Sequence, residues 1–385
     1  MVKTAFRASQ IFGENGINDK DLLAVEDDFF AGFFSEQEIA DMEISVRDYK
    51  GCKILPGLVD SHIHGALGFD TMDAVPESLQ KIGQYLLEKG TTSWMPTTVT
   101  ATIDDICRAI KNVNICKNKT NDTAARIIGC FVEGPYITKE HKGAHPEELI
   151  RPLNKEEVKK MLAAGPIRAL AVAPEKENAL DFIQWAVQHK IKISLAHSSA
   201  EFKEACLAIE AGADAVVHTF CGMSSLHHRK PNLLGAALIV DEIYAELIAD
   251  GIHVQAPAMK ILLRCKPNNR VILVSDAIQA TGLADGEYML GVEPIMVQNG
   301  ISRIKTGSLA GSTTTLLDEV RLLIQELGES PLIAVHMASL NPSRRFGLDD
   351  KIGSIRKGKK ADFIIVDENY QLKETWLNGI NVVGR

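Results

Sequence analysis

Several residues capable of binding metal or moving protons stand directly after apolar runs in this 385-residue chain. His62 and His64 close the run ILPGLVDSHIH two positions apart. On an extended strand both imidazoles therefore project from one side, where together they can ligate a divalent cation. His197 ends SLAH and His218 ends AVVH, each behind a stretch that should be buried. A lone histidine at a strand end is ordinarily a hydrogen-bonded core or loop residue, but two on neighbouring strands point to a shared site. Glu133, in CFVEGPY, enters apolar surroundings, where an isolated charge is too costly and a carboxylate must be paired or metal-bound. Asp276, in VILVSDA, could cap the following segment. Beside a metal it could instead take a proton from water and return it to a leaving group. His253, in IADGIHV, ends a further run of the same kind.

Such residues can meet only if the elements that carry them converge. Eight apolar runs (54–64, 91–99, 126–134, 167–175, 192–198, 213–220, 243–253 and 271–277) alternate with segments of helical period. Among the latter, PESLQKIGQYLLEKG (76–90), NKEEVKKMLAAG (154–165) and AEFKEACLAIEAGA (200–213) place apolar residues on one helical face and end at or near Gly. Eight buried strands alternating with helices predict an α/β fold, a (β/α)8 TIM-like barrel over residues 56–344. In that barrel the strand C-termini share one face, so residues more than 200 apart in sequence line one pocket. Short strands with Gly turns before residue 55 and after 345 predict one small β domain made from both chain ends, 1–55 and 345–385.

Composition narrows the function. Hydrophobic residues at 45% and charged residues at 24% can build a large core. A net charge of −8 argues against nucleic acid as the partner. No apolar run reaches the roughly 18–20 residues of a membrane helix, and the N-terminal stretch lacks signal-peptide layout. Seven scattered cysteines without a CxxC pair read as reduced thiols in a cytoplasmic protein. Neither a P-loop nor a G-x-S-x-G elbow is present.

PGLVDSHIHG, FVEGPY, SLAHS, VVHTF, IADGIHV, VSDA and the tail IGSIRKGKKADFIIVD, in that order, resemble the amidohydrolase superfamily from about residue 50 to the C-terminus. Within it they are similar to the branch that deacetylates N-acetylglucosamine-6-phosphate. The resemblance implies a metal-dependent barrel with a β-sandwich, and hydrolysis of the N-acetyl group of an amino-sugar phosphate. It implies one or two divalent metal ions, zinc or iron foremost, with manganese and cobalt also suited to such ligands. It places a core metal site on Glu133, His197 and His218, and a second on His62 and His64 with Glu133 bridging. Asp276 becomes general base and acid as well as a metal contact. Ala144, His145, Cys221, Gly222, His253 and the loop residues Leu309, Gly311 and Ser312 become substrate contacts. Arg229 becomes a phosphate contact that reaches a neighbouring active site in a homodimer.

The chain departs from the family where His-x-Phe-Asn-Ala-Met is usual: it reads His218-Thr-Phe-Cys-Gly-Met223, and Pro231-Asn232 stands for the usual Pro-Gly. The side-chain contact of Asn is lost, while backbone N–H groups of Cys221-Gly222 remain to be offered to phosphate. This departure keeps a deacetylase of the galacto epimer, or of another N-acyl compound, as an alternative. A reading from another class, a non-catalytic barrel serving as an interaction protein, requires lost metal ligands, and all six positions are intact.

Overall fold

The computed structural model describes residues 4–19, 21–42, 44–119 and 123–384. Strands form at all eight apolar runs: β1 Leu58–Ile63, β2 Thr91–Thr98, β3 Phe131–Val132, β4 Ala169–Val172, β5 Lys192–Leu195, β6 Ala213–Val216, β7 Tyr244–Leu247 and β8 Val271–Leu273. Each pairs in parallel with the next. A two-residue prelude to β3, Arg126–Ile127, pairs with the earlier half of β2. The strands are largely buried on both faces because helices cover the outside and packed side chains fill the inside. Helices Pro76–Glu88, Lys155–Ala164 and Phe202–Glu210 occupy the segments of helical period. In the first, Leu79, Ile82 and Leu86 make the buried stripe; in the second, the Asn154 side chain caps Glu156 and Glu157 N–H.

The ring closes just beyond β8. Asp276 N–H donates to the His62 carbonyl at 2.9 Å, and His64 N–H to the Ala277 carbonyl at 2.8 Å. Buried Asp60 pins the same seam by accepting from Ser275 Oγ at 2.5 Å. Burial pushes this carboxyl up to about 6, against the opposing pull of Ser275 and the His62 N–H. The far end of the barrel is plugged by Phe346 and Ile352, which pack under Val59, Met95, Phe131, Ala169 and Val217.

Both chain ends build one mixed sheet. Its strand order is Ile380–Val383, Leu372–Leu377, Phe363–Val366, Ser45–Pro56, Thr4–Phe12, Leu22–Glu26, Phe29–Phe34, with Ile17–Asn18 alongside Thr4–Phe12. Phe30 and Phe363 lie four strands apart, about 19 Å in a flat sheet. Their ring centroids are 6.0 Å apart, so the sheet curls over itself into a sandwich. Phe6, Phe30, Phe363 and Trp376 fill its interior, with Phe363 stacked on Trp376 at 5.3 Å.

A further small sheet, Gly286–Leu290, Glu293–Gln298 and Ile301–Ile304, follows β8. Its second turn is Asn299-Gly300, both with positive φ (53° and 71°), as a tight hairpin of this twist requires. Leu290, Ile295, Val297 and Ile304 pack it onto Val99, Ala144, Ile278 and Ala310 at the barrel mouth. No helix among the described residues is long and apolar enough to cross a membrane.

Phe363 packs against Phe6, Phe30 and Trp376 at once. Phe363→Ala should therefore destabilise that domain by about 3–5 kcal/mol, read as a lowered urea midpoint. A midpoint unchanged from the wild type would mean that the curled sheet is not held by these rings.

Candidate metal and active site

The residues after the strands converge as the barrel demands. His62, His64, Glu133 and Asp276 form one cluster of buried potential ligands, and Glu133, His197 and His218 form a second. Glu133 belongs to both and divides its oxygens between them. Oε2 lies 3.4 Å from His62 Nε2 and 3.2 Å from His64 Nε2. Oε1 lies 3.3 Å from both His197 Nε2 and His218 Nε2. Asp276 Oδ1 completes the first set, 3.5 Å from His62 Nε2 and 3.0 Å from His64 Nε2. Ligands about 2.0–2.2 Å from a tetrahedral ion stand roughly 3.3–3.6 Å from one another. The observed separations lie at or just below that edge length.

Hydrogen bonds behind the ring fix which nitrogen faces inward. Carbonyl oxygens accept from Nδ1–H of three imidazoles: Thr97 from His64 (3.2 Å), His141 from His197 (2.7 Å) and Cys221 from His218 (3.2 Å). His62 Nδ1 faces the Glu246 carboxylate at 3.1 Å. In the neutral rings every Nε2 therefore carries a bare lone pair. His197 and His218 aim theirs at one another across 3.2 Å, and buried His62 Nε2 has no hydrogen-bond partner among the described residues. Lone pairs and carboxylates so arranged call for cations at their centres, and the donor set suits a divalent ion.

The charges agree. Burial pushes Glu133 up, but His62, His197 and His218 outweigh it and hold the carboxyl well below its ordinary range. Burial likewise raises Asp276, and His62 and His64 bring it down to about 2, so it is ionised at neutral pH. His197, His218 and Asp276 all take left-handed backbone (φ 45°, 25° and 48°), where side chains other than Gly are uncommon. Such conformations cluster at functional sites.

Above the ligands lies a cavity of about 370 Å³, within the usual range for small-molecule pockets. Ala144, His145, Cys221, Gly222, His253, Leu309 and Gly311 line it beside the ligands. Thr100 N–H donates to His145 Nδ1 at 3.2 Å, and a backbone N–H can only donate. The neutral ring therefore carries its proton on Nε2, which points at Glu133 Oε2 from 3.8 Å. Burial and then His197 depress this imidazole to about 3, so it is a neutral hydrogen-bond donor. His253 is arranged the other way: Asp250 Oδ2 accepts from its Nδ1–H at 2.7 Å, leaving Nε2 as the acceptor in the neutral ring.

Three residues singled out in the sequence stand elsewhere or are already engaged. Ser312 is buried beside the pocket, its hydroxyl donating to the Ser275 carbonyl. Cys221 N–H is taken by the His218 carbonyl at 2.8 Å, so of that pair only the Gly222 N–H can turn to a ligand. Arg229 lies outside the pocket, at the tip of an exposed turn closed by His227 and Lys230, and bonds His228 Nε2 at 2.8 Å. Asn232, standing for the usual Gly, takes φ 56°, a left-handed position that Asn tolerates. Sequence reasoning missed Glu140, His141 and Leu290 at the pocket wall. His141 is in the same HKGAH segment as His145, and Leu290 belongs to a hairpin whose Asn-Gly turn was legible.

Burial, followed by the Asp276 and Asp250 charges, pushes the Cys221 thiol up to about 12. At pH 8 only about one part in ten thousand is thiolate, the reactive form. Iodoacetamide should label exposed Cys265 and spare Cys221, as read by peptide mass spectrometry. Rapid labelling of Cys221 would show that this wall is open and its thiol acidic.

Comparisons with known proteins agree with this geometry. The profile of the Amidohydrolase family matches residues 54–382. The chain is 37% identical over 375 residues to the N-acetylgalactosamine-6-phosphate deacetylase of Escherichia coli O157:H7, covering 97% of each chain. It is 38% identical over 328 residues to the N-acetylglucosamine-6-phosphate deacetylase of Vibrio furnissii, covering 85% of this chain and 82% of the relative. A mutant N-acetyl-D-glucosamine-6-phosphate deacetylase from Mycobacterium smegmatis, solved with N-acetyl-D-glucosamine-6-phosphate, superposes with a TM-score of 0.93 at 26% identity over the whole of both chains.

Proposed function

Because the chain belongs to the amidohydrolase family, we propose that it hydrolyses the N-acetyl group of N-acetylglucosamine-6-phosphate, releasing acetate and the free amine. The observation that carries this reading is the Glu133 carboxylate, shared by two sets of metal-type ligands beneath a sugar-sized pocket. Glu133, His197 and His218 would hold one divalent ion, and His62, His64, Glu133 and Asp276 another. Zinc or iron is the proposed metal, with manganese or cobalt as substitutes. An ion held there would supply polarisation of a carbonyl oxygen and a water acidic enough to react near neutrality.

The protein's own groups do the rest. Asp276, ionised at the edge of the cluster, accepts the water's proton. It then delivers that proton to the sugar nitrogen, because an amine leaves poorly as its anion. His145 Nε2–H donates to the carbonyl oxygen as negative charge builds on it. His253, held by Asp250, meets the sugar, while Ala144, Leu309 and Gly311 wall the acetyl side, with Ser312 anchoring their loop.

The phosphate needs positive charge, yet among the described residues the lining contains no lysine or arginine. The Gly222 N–H supplies one donor. The tight turn that presents Arg229 to solvent suits delivery of its guanidinium to the pocket of a second copy, in a homodimer. The enzyme would act in the cytoplasm on a phosphorylated sugar. A second reading, the galacto epimer, is favoured by the similarity along 97% of the chain to a deacetylase of that sugar.

Acetate release from the gluco and galacto 6-phosphates, with unphosphorylated N-acetylglucosamine alongside, separates these readings. Turnover confined to the gluco phosphate supports the first and turnover confined to the galacto phosphate the second. No release from either phosphate by zinc-loaded protein would defeat both. Asp276→Asn should lower kcat by about 10²–10⁴-fold while zinc stays bound at Glu133, His197 and His218. Retention of most turnover would remove Asp276 from proton transfer. Equal mixtures of Arg229→Ala and Asp276→Asn subunits should recover about one quarter of wild-type activity, since half the dimers are mixed and each holds one complete site. No recovery after subunit exchange would refute the shared phosphate site.

A further inference from the structure

Of the four imidazoles facing the metal clusters, His62 alone has a carboxylate behind it. Glu246 stands on β7, fully buried, and is not part of the pocket wall. Its Oε2 is 3.1 Å from His62 Nδ1, and its Oε1 accepts from Arg345 Nη1 at 2.9 Å. Arg345 is the last residue of the helix Leu340–Arg345, immediately before the Phe346 plug, with only 1% of its side chain exposed. Its Nη2 donates to Ser194 Oγ at 2.6 Å and to Asp214 Oδ1 at 3.1 Å. A line of charge thus runs up the barrel interior, from Asp214 through Arg345 and Glu246 to His62.

We propose that Glu246 is a positioning residue for the metal ion on the His62 side, and that Arg345 is its anchor. The inference rests on the metal reading given above. Glu246 accepts the Nδ1 proton of His62 and so fixes the tautomer that points the Nε2 lone pair at Glu133 and Asp276. A carboxylate behind a ligating imidazole also makes it a stronger donor. A carbonyl would fix the tautomer equally well, as it does for His64, His197 and His218, so the negative charge is the distinctive contribution. That charge could not remain buried alone, and Arg345 balances it. The pair joins floor to site: the guanidinium enters beside the plug, and the carboxylate presents its other oxygen upward.

The competing explanation is that Glu246 and Arg345 merely clamp the plug to the barrel. Removing both charges separates the two ideas, because an apolar replacement of a buried pair is often neutral for stability. Asp214 keeps Lys192 as a partner at 3.0 Å in such a variant. Zinc binding to full-length wild type, Glu246→Gln and Glu246→Leu/Arg345→Met is therefore titrated against a competing chelator, with thermal melts in parallel.

The wild type should bind two zinc ions tightly. The double variant should bind one as tightly and the other about 10–100-fold more weakly. Glu246→Gln, which keeps an acceptor oxygen but not the charge, should show the same selective weakening to a smaller degree. It carries the test alone if the double variant does not fold. Two unaltered affinities, or an equal loss at both sites, would overturn the positioning role. Wild-type protein that binds no zinc would overturn the metal reading itself, and that result is seen before any variant is compared.

Discussion

Much of this structure follows from one awkward group, a carboxylate with nowhere to hide its charge. Glu133 is buried at the centre of the barrel mouth, and both its oxygens face imidazole nitrogens whose lone pairs point at it. Neutral imidazoles in those tautomers would repel it, so the arrangement needs positive charge, carried by protons on the rings or by cations between them. Meeting that condition takes nitrogens from β1, β5 and β6 and a second carboxylate from β8, each delivered to within about 3.5 Å of Glu133 or of its ligands. A closed barrel does this because its strands end on one ring. The seam that closes it is the same seam that carries ligands: Asp276 N–H bonds the His62 carbonyl, and Asp60 locks Ser275 beneath both.

The sequence exposes this centre because its chemistry is tied to local pattern. A chemical residue that follows an apolar run is a strand-end residue, and His62, His64, Glu133, His197, His218 and Asp276 all follow this rule. The eight runs became eight strands for a related reason, since a strand covered on both faces leaves a run richer in apolar and small residues than its flanks. What stayed illegible depends on contacts between distant segments. Glu246 sits in YAEL, where an acidic residue reads as the solvent face of a strand. Its burial depends on Arg345, 99 residues later. The curl of the terminal sheet is equally nonlocal, because nothing in either end announces that Phe30 and Phe363 will meet. The hairpin after β8 differs: Asn299-Gly300 between apolar stretches is a local signal that the sequence itself carries.

The backbone at the ligands shows how the site is held against its own preferences. His197, His218 and Asp276 all adopt left-handed φ values that the flanking strands do not favour. Each is over-determined by neighbours. Thr138 bonds the His197 carbonyl through both its N–H and its hydroxyl, the Cys221 N–H takes the His218 carbonyl, and the Ser312 N–H takes the Asp276 carbonyl. Residues of the pocket loops thus also restrain the ligands. Ser312 and Cys221 share this double position, and since both restraints come from backbone N–H groups, the side chains there can change while the restraint on the ligands stays.

That coupling gives the Cys221-Gly222 departure a physical meaning. Gly222 has φ 59°, and a Cβ placed there would sit 3.0 Å from His197 Nδ1 and 3.2 Å from a carbon of the His218 ring. An alanine at this position, as is usual in the family, must push both imidazoles by a few tenths of an ångström or move the turn. Gly relieves that pressure and lets the turn lie close against the ligands. Cys221 then replaces a polar amide with a smaller, neutral thiol against the same wall. The two changes act together: the wall loses a polar side-chain contact and gains room while the metal ligands keep their spacing. The wall can thus change without moving the ligands beneath it, because the ligands are tied to barrel strands and the wall to a single turn.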